Sequence, residues 1–219
     1  MNDFSTEEEQ IAALKKWWKD NGNSLLIGVG VALAIAFGWK AYQGGVIQDK
    51  TQASFMYQQL ITAATQTSFE EAEEAQTVSY LASDLKNKYS DSEYAIYAAM
   101  FIAKESVEAN DLEKAKVELN WILANTDDSR IMHIVKGRIA RILSAEDKHD
   151  EALAMLNADD SDFEASYLEI KGDIKQRTGD RAAAIEAYKS AFELVKDSPQ
   201  AQPLLAVKLS NLGINPETL

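Results

Sequence analysis

"TGDRAAAIEAYKSAFEL", residues 178–194, is the stretch whose reading decides the fold. Gly179 and Asp180 form a turn signal, and after it Ala184, Tyr188 and Ala191 recur at helical spacing, placing small and large residues on one face. Two other stretches repeat this arrangement: "ANDLEKAKVELNWIL" from Ala109 and "EDKHDEALAMLN" from Glu146. Their matched alanines are Ala115 and Ala152, so the three copies lie 37 and 32 residues apart. Twelve residues before each alanine stands a further small residue, Ala103, Ala140 and Gly172; four after it come Leu119, Leu156 and Tyr188.

A period close to 34 residues, with small residues where paired helices touch, is that of the tetratricopeptide repeat. The rest of the body agrees. Ala, Leu, Glu, Lys and Gln dominate, and the three prolines (199, 203 and 216) all fall near the C-terminus. Val46, Ala53, Tyr57, Leu60 and Ala64 predict one amphipathic helix, and Val78, Leu81, Leu85 and Tyr89 a second that follows a capping box at Ser68-Phe69-Glu70-Glu71. "AQPLLAVKLSNL", residues 201–212, predicts a capping helix that closes the array. The expected fold is all-α: a single N-terminal transmembrane helix, then a tetratricopeptide-like solenoid.

The transmembrane expectation comes from "LLIGVGVALAIAFGWK", residues 25–40. Its uncharged core, Leu25 to Trp39, is fifteen residues, short of a roughly 30 Å hydrocarbon layer. The flanks extend it, because Lys40 can snorkel and Trp39, Tyr42, Trp17 and Trp18 suit the interfaces. Ala34-Ile35-Ala36 has the small-x-small form of a signal-peptide cleavage site, yet it lies inside the run and is followed by Phe37 and Trp39. Lys15, Lys16 and Lys19 before the span outnumber Lys40 and Lys50 after it, so the N-terminus is expected in the cytoplasm and the acidic body in the periplasm of a bacterium. Gly30, Ala34 and Gly38 recur at four-residue spacing, as do Gly28, Ala32 and Ala36, giving flat stripes suited to helix packing in lipid. Ser5-Thr6-Glu7-Glu8 has capping-box form, and Ile11, Leu14, Trp17 and Trp18 share a face, predicting a short amphipathic helix that ends near Asn21-Gly22. The expected organisation is thus 1–22 as a cytoplasmic amphipathic segment, 23–43 as the span, 44–91 as a juxtamembrane helical pair and 92–219 as repeats with their cap.

Charge and composition exclude several functions. The net charge is −13, and removing the first 43 residues takes away four lysines and five acids and leaves −12, a surface that repels nucleic-acid phosphates. There is no cysteine, hence no disulfide, thiol nucleophile or thiolate metal site. His133 and His149 fall on different predicted helices without partners at ligand spacing, and "DDSDFE" from Asp159 lacks the glycine and length of a calcium loop. The expectation is no enzyme, no metal and no cofactor. What the pattern offers is a groove lined by the first helix of each pair: Tyr97, Met100 and Lys104, then Ile134 and Arg141, then Glu169, Asp173 and Arg177. This set lacks the Lys and Asn combination by which some such domains clamp a C-terminal carboxylate.

With these residues in view, the chain resembles the YfgM family of inner-membrane ancillary subunits of the bacterial Sec translocon. The resemblance rests on "EEEQIAALKKWWKDNG", the glycine-rich span closing in "GWKAY", "GRIARIL", "KGDIKQRTGD" and "VKLSNLG", in matching order over nearly the whole chain. It implies a non-catalytic, single-span protein facing the periplasm, with Sec translocon membrane subunits, a periplasmic chaperone of the PpiD type and exported polypeptides as partners. A scaffold or assembly factor for another envelope complex, such as cytochrome maturation machinery, is the alternative that the same features allow.

Overall fold

The computed structural model describes residues 7–66, 72–157, 163–197 and 202–219. Its helices are α1 (Glu7–Gln66), α2 (Ala72–Lys88), α3 (Glu93–Glu108), α4 (Leu112–Ala124), α5 (Ser129–Ala145), α6 (His149–Ala154), α7 (Glu164–Arg177), α8 (Arg181–Leu194) and α9 (Gln202–Asn211), with a final 3-10 turn at Pro216–Thr218. Among the described residues there is no strand, and the all-α expectation holds. The chain divides into two units, residues 1–54 and 55–219. The capping boxes at residues 5–8 and 68–71 and the acidic run from Asp159 lie wholly or partly outside the described residues.

The N-terminal unit differs from expectation in one respect. The amphipathic helix does not end at Asn21-Gly22, nor does a new one begin after Gly44-Gly45: α1 runs unbroken from Glu7 to Gln66, about 90 Å at 1.5 Å per residue. A glycine ends a helix by turning left-handed, and here only Gly179 and Gly213 adopt positive φ. Gly22 instead lies against the Trp18 ring, and Asn21 Nδ2 donates to the Trp17 carbonyl one turn back, at 3.1 Å. α1 is long and apolar enough to cross a bilayer, and no residue of its most apolar window is buried. Ile27, Ile35 and Phe37 each stand about two-thirds exposed to solvent. So continuous a bare apolar surface fits a helix that lipid covers.

In the second unit the repeats are packed pairs: α3 with α4, α5 with α6, α7 with α8. Each pair turns through one residue in the left-handed region at the same register, Asn110 (φ 59°), Asp147 (φ 63°) and Gly179 (φ 81°). These three residue types tolerate that conformation, which is why the turn survives while its sequence drifts. Asp111 and Asp180 follow it as N-caps, their side chains accepting from the amides of Lys114 and Ala183. Lys148 holds the equivalent place without a side-chain cap, and α6, which it opens, is only six residues long.

The helices of each pair meet at the small residues. Ala103, Ala115 and Leu119 are buried in the first pair, Ala140, Ala152 and Leu156 in the second, Ala184 and Tyr188 in the third. Size is conserved across the crossing: where the first two pairs set alanine opposite leucine, the third sets Gly172 opposite tyrosine. A Cβ on Gly172 would come within 2.4 Å of Tyr188 Cε1, so Tyr188 demands the glycine. α2 packs on α3 as α4 packs on α5, and its buried Ala82 stands 33 residues before Ala115, in the register of a second helix. At the other end α9 packs on α8, burying Leu205 and Leu209 against Tyr188, Ala191 and Phe192.

Ion pairs tie successive pairs together. Lys86 of α2 meets Glu118 of α4 at 2.6 Å and lies over the Trp121 ring, and Lys116 of α4 meets Glu146, the residue that ends α5, at 2.8 Å. Hydrogen bonds from Lys116 and then Lys148 hold the Glu146 carboxyl below its ordinary value, while Glu113 and then Glu146 push Lys116 up to about 12. Glu146 therefore stabilises the fold above its unfolded pKa of 4.5, and that contribution fades as pH falls through the depressed value.

Two outcomes follow. Gly172→Ala is expected to destabilise the wild-type chain by ~1–3 kcal/mol but to be neutral or stabilising in a Tyr188→Leu background, which rebuilds the alanine–leucine crossing of the other pairs; urea unfolding of all four chains in detergent, followed by circular dichroism, measures it. Glu146→Gln is expected to lower Tm by a constant amount between about pH 6 and 9, and the difference from wild type should shrink as pH drops below 4.5.

Candidate binding groove

α3 and α5 are the first helices of two successive pairs, and their exposed faces bound an open pocket of about 530 Å³. From α3 come Tyr97, Met100, Phe101, Lys104, Val107 and Glu108; from α5, Arg138, Arg141 and Ile142. Leu119 of α4 forms the floor, and Tyr57 closes one side with its ring 5.3 Å from Tyr94 and 5.6 Å from Tyr97. The wall is therefore aromatic and aliphatic, and its charges are concentrated at one end. Lys104 and Glu108, one turn apart, pair at 3.0 Å. Burial against the pocket wall and then the neighbouring Arg141 pull the Arg138 guanidinium below the ordinary arginine value, though it stays cationic. Beyond Tyr97, at the start of α3 and α5, a second cavity of about 380 Å³ is edged by Asp91, Glu93, Asp127 and Asp128.

The groove residues expected from the repeat register separate into three places. Tyr97, Met100, Lys104 and Arg141 come together in the pocket. Ile134 is exposed two turns before Arg141 on α5, outside the lining. Glu169 and Asp173 do not stand free in a groove: Lys208 of α9 reaches both, at 2.7 and 2.5 Å, and Tyr188 donates its hydroxyl to Asp173 at 2.7 Å. The capping helix packs on α8, and its Lys208 side chain takes up these acids of α7. Burial, and then the bond to Asp173, raise the Tyr188 pKa well above the ordinary phenol. Arg177 turns to Asp147 of the preceding turn, at 3.8 Å.

The pocket residues absent from the expected groove list include Tyr57, Phe101, Val107, Glu108, Arg138 and Ile142. Arg138 was within reach, because it sits three residues before Arg141 on the same helix face. Tyr57 was not, since it belongs to α1, before the first recognisable repeat.

The histidines pack. His133 stacks on Phe163 at 4.8 Å between ring centres, and Tyr167 donates to its carbonyl at 3.0 Å; His149 lies near Ser144 and Asp147. Among the described residues no three His, Cys, Asp or Glu side chains cluster as metal ligands would. Gly28, Gly30 and Gly38 open onto empty space within the N-terminal unit, where an added Cβ would touch nothing.

The sequence profile of the tetratricopeptide repeat-like domain matches residues 15–214, span and repeats together. The chain belongs to this family. Relatives match it from end to end: a Haemophilus influenzae protein is 30% identical over 95% of this chain and 99% of its own length, an Escherichia coli protein 26% over 98% and 100%, and a Neisseria gonorrhoeae protein 25% over 94% and 97%. Each of the three is named ancillary SecYEG translocon subunit. These matches show the YfgM resemblance drawn from the residues. No solved structure matches the chain significantly.

Proposed function

We propose that this protein is a non-catalytic, membrane-anchored binding module that works beside the Sec translocon. Residues 1–22 lie in the cytoplasm, 23–43 in the inner membrane, and the helical pair and repeats of 44–219 in the periplasm. The span docks along the stripe of Gly28, Gly30, Ala34 and Gly38 against translocon membrane helices, while the groove on α3 and α5 engages a periplasmic chaperone of the PpiD type or an exported polypeptide. The repeat contacts at Ala103, Ala115, Ala140, Ala152, Gly172, Ala184 and Tyr188 hold that groove in shape. One observation carries the reading: a bare apolar span and an open apolar groove, joined in one chain, match relatives named as translocon subunits over 94% or more of its length.

Affinity purification of the full chain in mild detergent, beside a copy lacking residues 1–43 and a copy with Gly30, Ala34 and Gly38 changed to Leu, tests it by mass spectrometry. SecY, SecE and SecG are expected with the full chain, and their recovery should fall in both altered copies, with the chaperone retained by the truncated one. Recovery of a different envelope complex in place of the translocon would refute the reading.

A further inference from the structure

The chain contains five arginines, all on described residues, and three of them are satisfied within it. Arg130 pairs with Asp128 at 2.9 Å, Arg177 with Asp147 at 3.8 Å, and Arg181 donates to the Leu212 carbonyl at 2.7 Å. Arg138 and Arg141 are the exceptions: among the described residues neither has an ion pair or a hydrogen bond, and both open onto the same pocket. With 35 acids against 22 bases, a surface cation in this chain has many carboxylates it could meet, yet these two are set side by side and, among the described residues, pair with none of them. Lys104 is already matched by Glu108 one turn along α3, so the two arginines decide the sign of that end.

The rest of the pocket is apolar: Tyr57, Tyr97, Met100, Phe101, Val107 and Ile142. At about 530 Å³ it lies within the range of sites that enclose a ligand of several side chains. A guanidinium offers a planar fork of donors that fits a carboxylate in two bonds, and beside apolar walls such a bond is less exposed to water than one on open surface. The acids around the second cavity, past Tyr97, repel a carboxylate placed there and so fix its position at the Arg138–Arg141 end.

We propose that the groove selects acidic, apolar peptide segments, seating large apolar side chains between α3 and α5 and pairing their carboxylates with Arg138 and Arg141. This rests on the reading of the groove as a polypeptide-binding surface, and it adds the chemical class of the segment. The occupant is a stretch of another protein in which Leu or Phe alternates with Glu or Asp, with any basic residue at the end that meets Asp91, Glu93 and Asp127.

The test uses the full chain in phosphatidylcholine nanodiscs and three labelled short peptides, identical in their Leu and Phe positions and carrying two Glu, two Gln or two Lys. Fluorescence anisotropy should rank them Glu over Gln over Lys, with the Glu peptide at least about threefold tighter than its Gln twin. The double variant Arg138→Gln, Arg141→Gln should bind the Glu and Gln peptides equally, at the wild-type Gln affinity. Equal binding of Glu and Gln peptides by wild type, preference for Lys, binding of none of the three, or a preference unchanged in the double variant would each overturn the proposal. So would displacement of the Glu peptide by phosphatidylglycerol vesicles and not by phosphatidylcholine ones, which would give the arginines to lipid headgroups. Co-purification of the translocon with the double variant is read in parallel. Translocon recovery without peptide discrimination defeats this inference alone, and discrimination without the translocon defeats the functional reading alone.

Discussion

The close approach of the two helices in each pair is the contact on which everything else in the repeat unit depends. It requires a small residue on the first helix, a buried alanine on the second, and a large side chain four residues later to fill the remaining space: leucine twice, then tyrosine. Because interiors are packed nearly as densely as crystals of small molecules, a methyl group added to one side must be removed from the other. Gly172 and Tyr188 make the point within a single chain, and the alanine–leucine crossings of the two preceding pairs are the natural control. Each pair buries one face and leaves the next exposed, so stability accumulates by stacking and needs a cap at the end, which α9 provides.

The same stacking determines which charges are available for binding. Lys86, Lys116 and Lys208 are taken up by acids of neighbouring elements. Glu169 and Asp173, acids on a first helix, are paired by Lys208 of the cap. What survives unpaired on the open face is therefore a small remainder of the full charge inventory. Within the α3–α5 pocket that remainder is basic, Arg138 and Arg141, in a chain whose net charge is −13. Net charge describes solubility and the long-range field; the sign of a groove is decided by which side chains packing leaves over.

The fold was legible because its information is local and periodic. The alanine spacing, the turn residues Asn110, Asp147 and Gly179, and the apolar span can each be read without knowing what they touch. Two things were not legible. The continuity of α1 through Gly22, Gly44 and Gly45 depends on glycines staying in helical conformation, which their sequence alone does not reveal. The composition of the groove depends on contacts between distant elements: Lys208 removing Glu169 and Asp173, and Tyr57 arriving from α1. A repeat register says which face of a helix looks inward, and the cap and the preceding helix decide how much of that face stays open.

The claim that the α3–α5 face is where this protein holds its partner is tested most directly by photocrosslinking in living cells. A photoreactive phenylalanine analogue would be placed at Met100, inside the pocket, and in a second strain at Val117, which is exposed on α4 away from it. Discrete protein adducts from Met100 and none from Val117 are the predicted result. Equal labelling from both positions, or adducts from Val117 alone, would contradict the account.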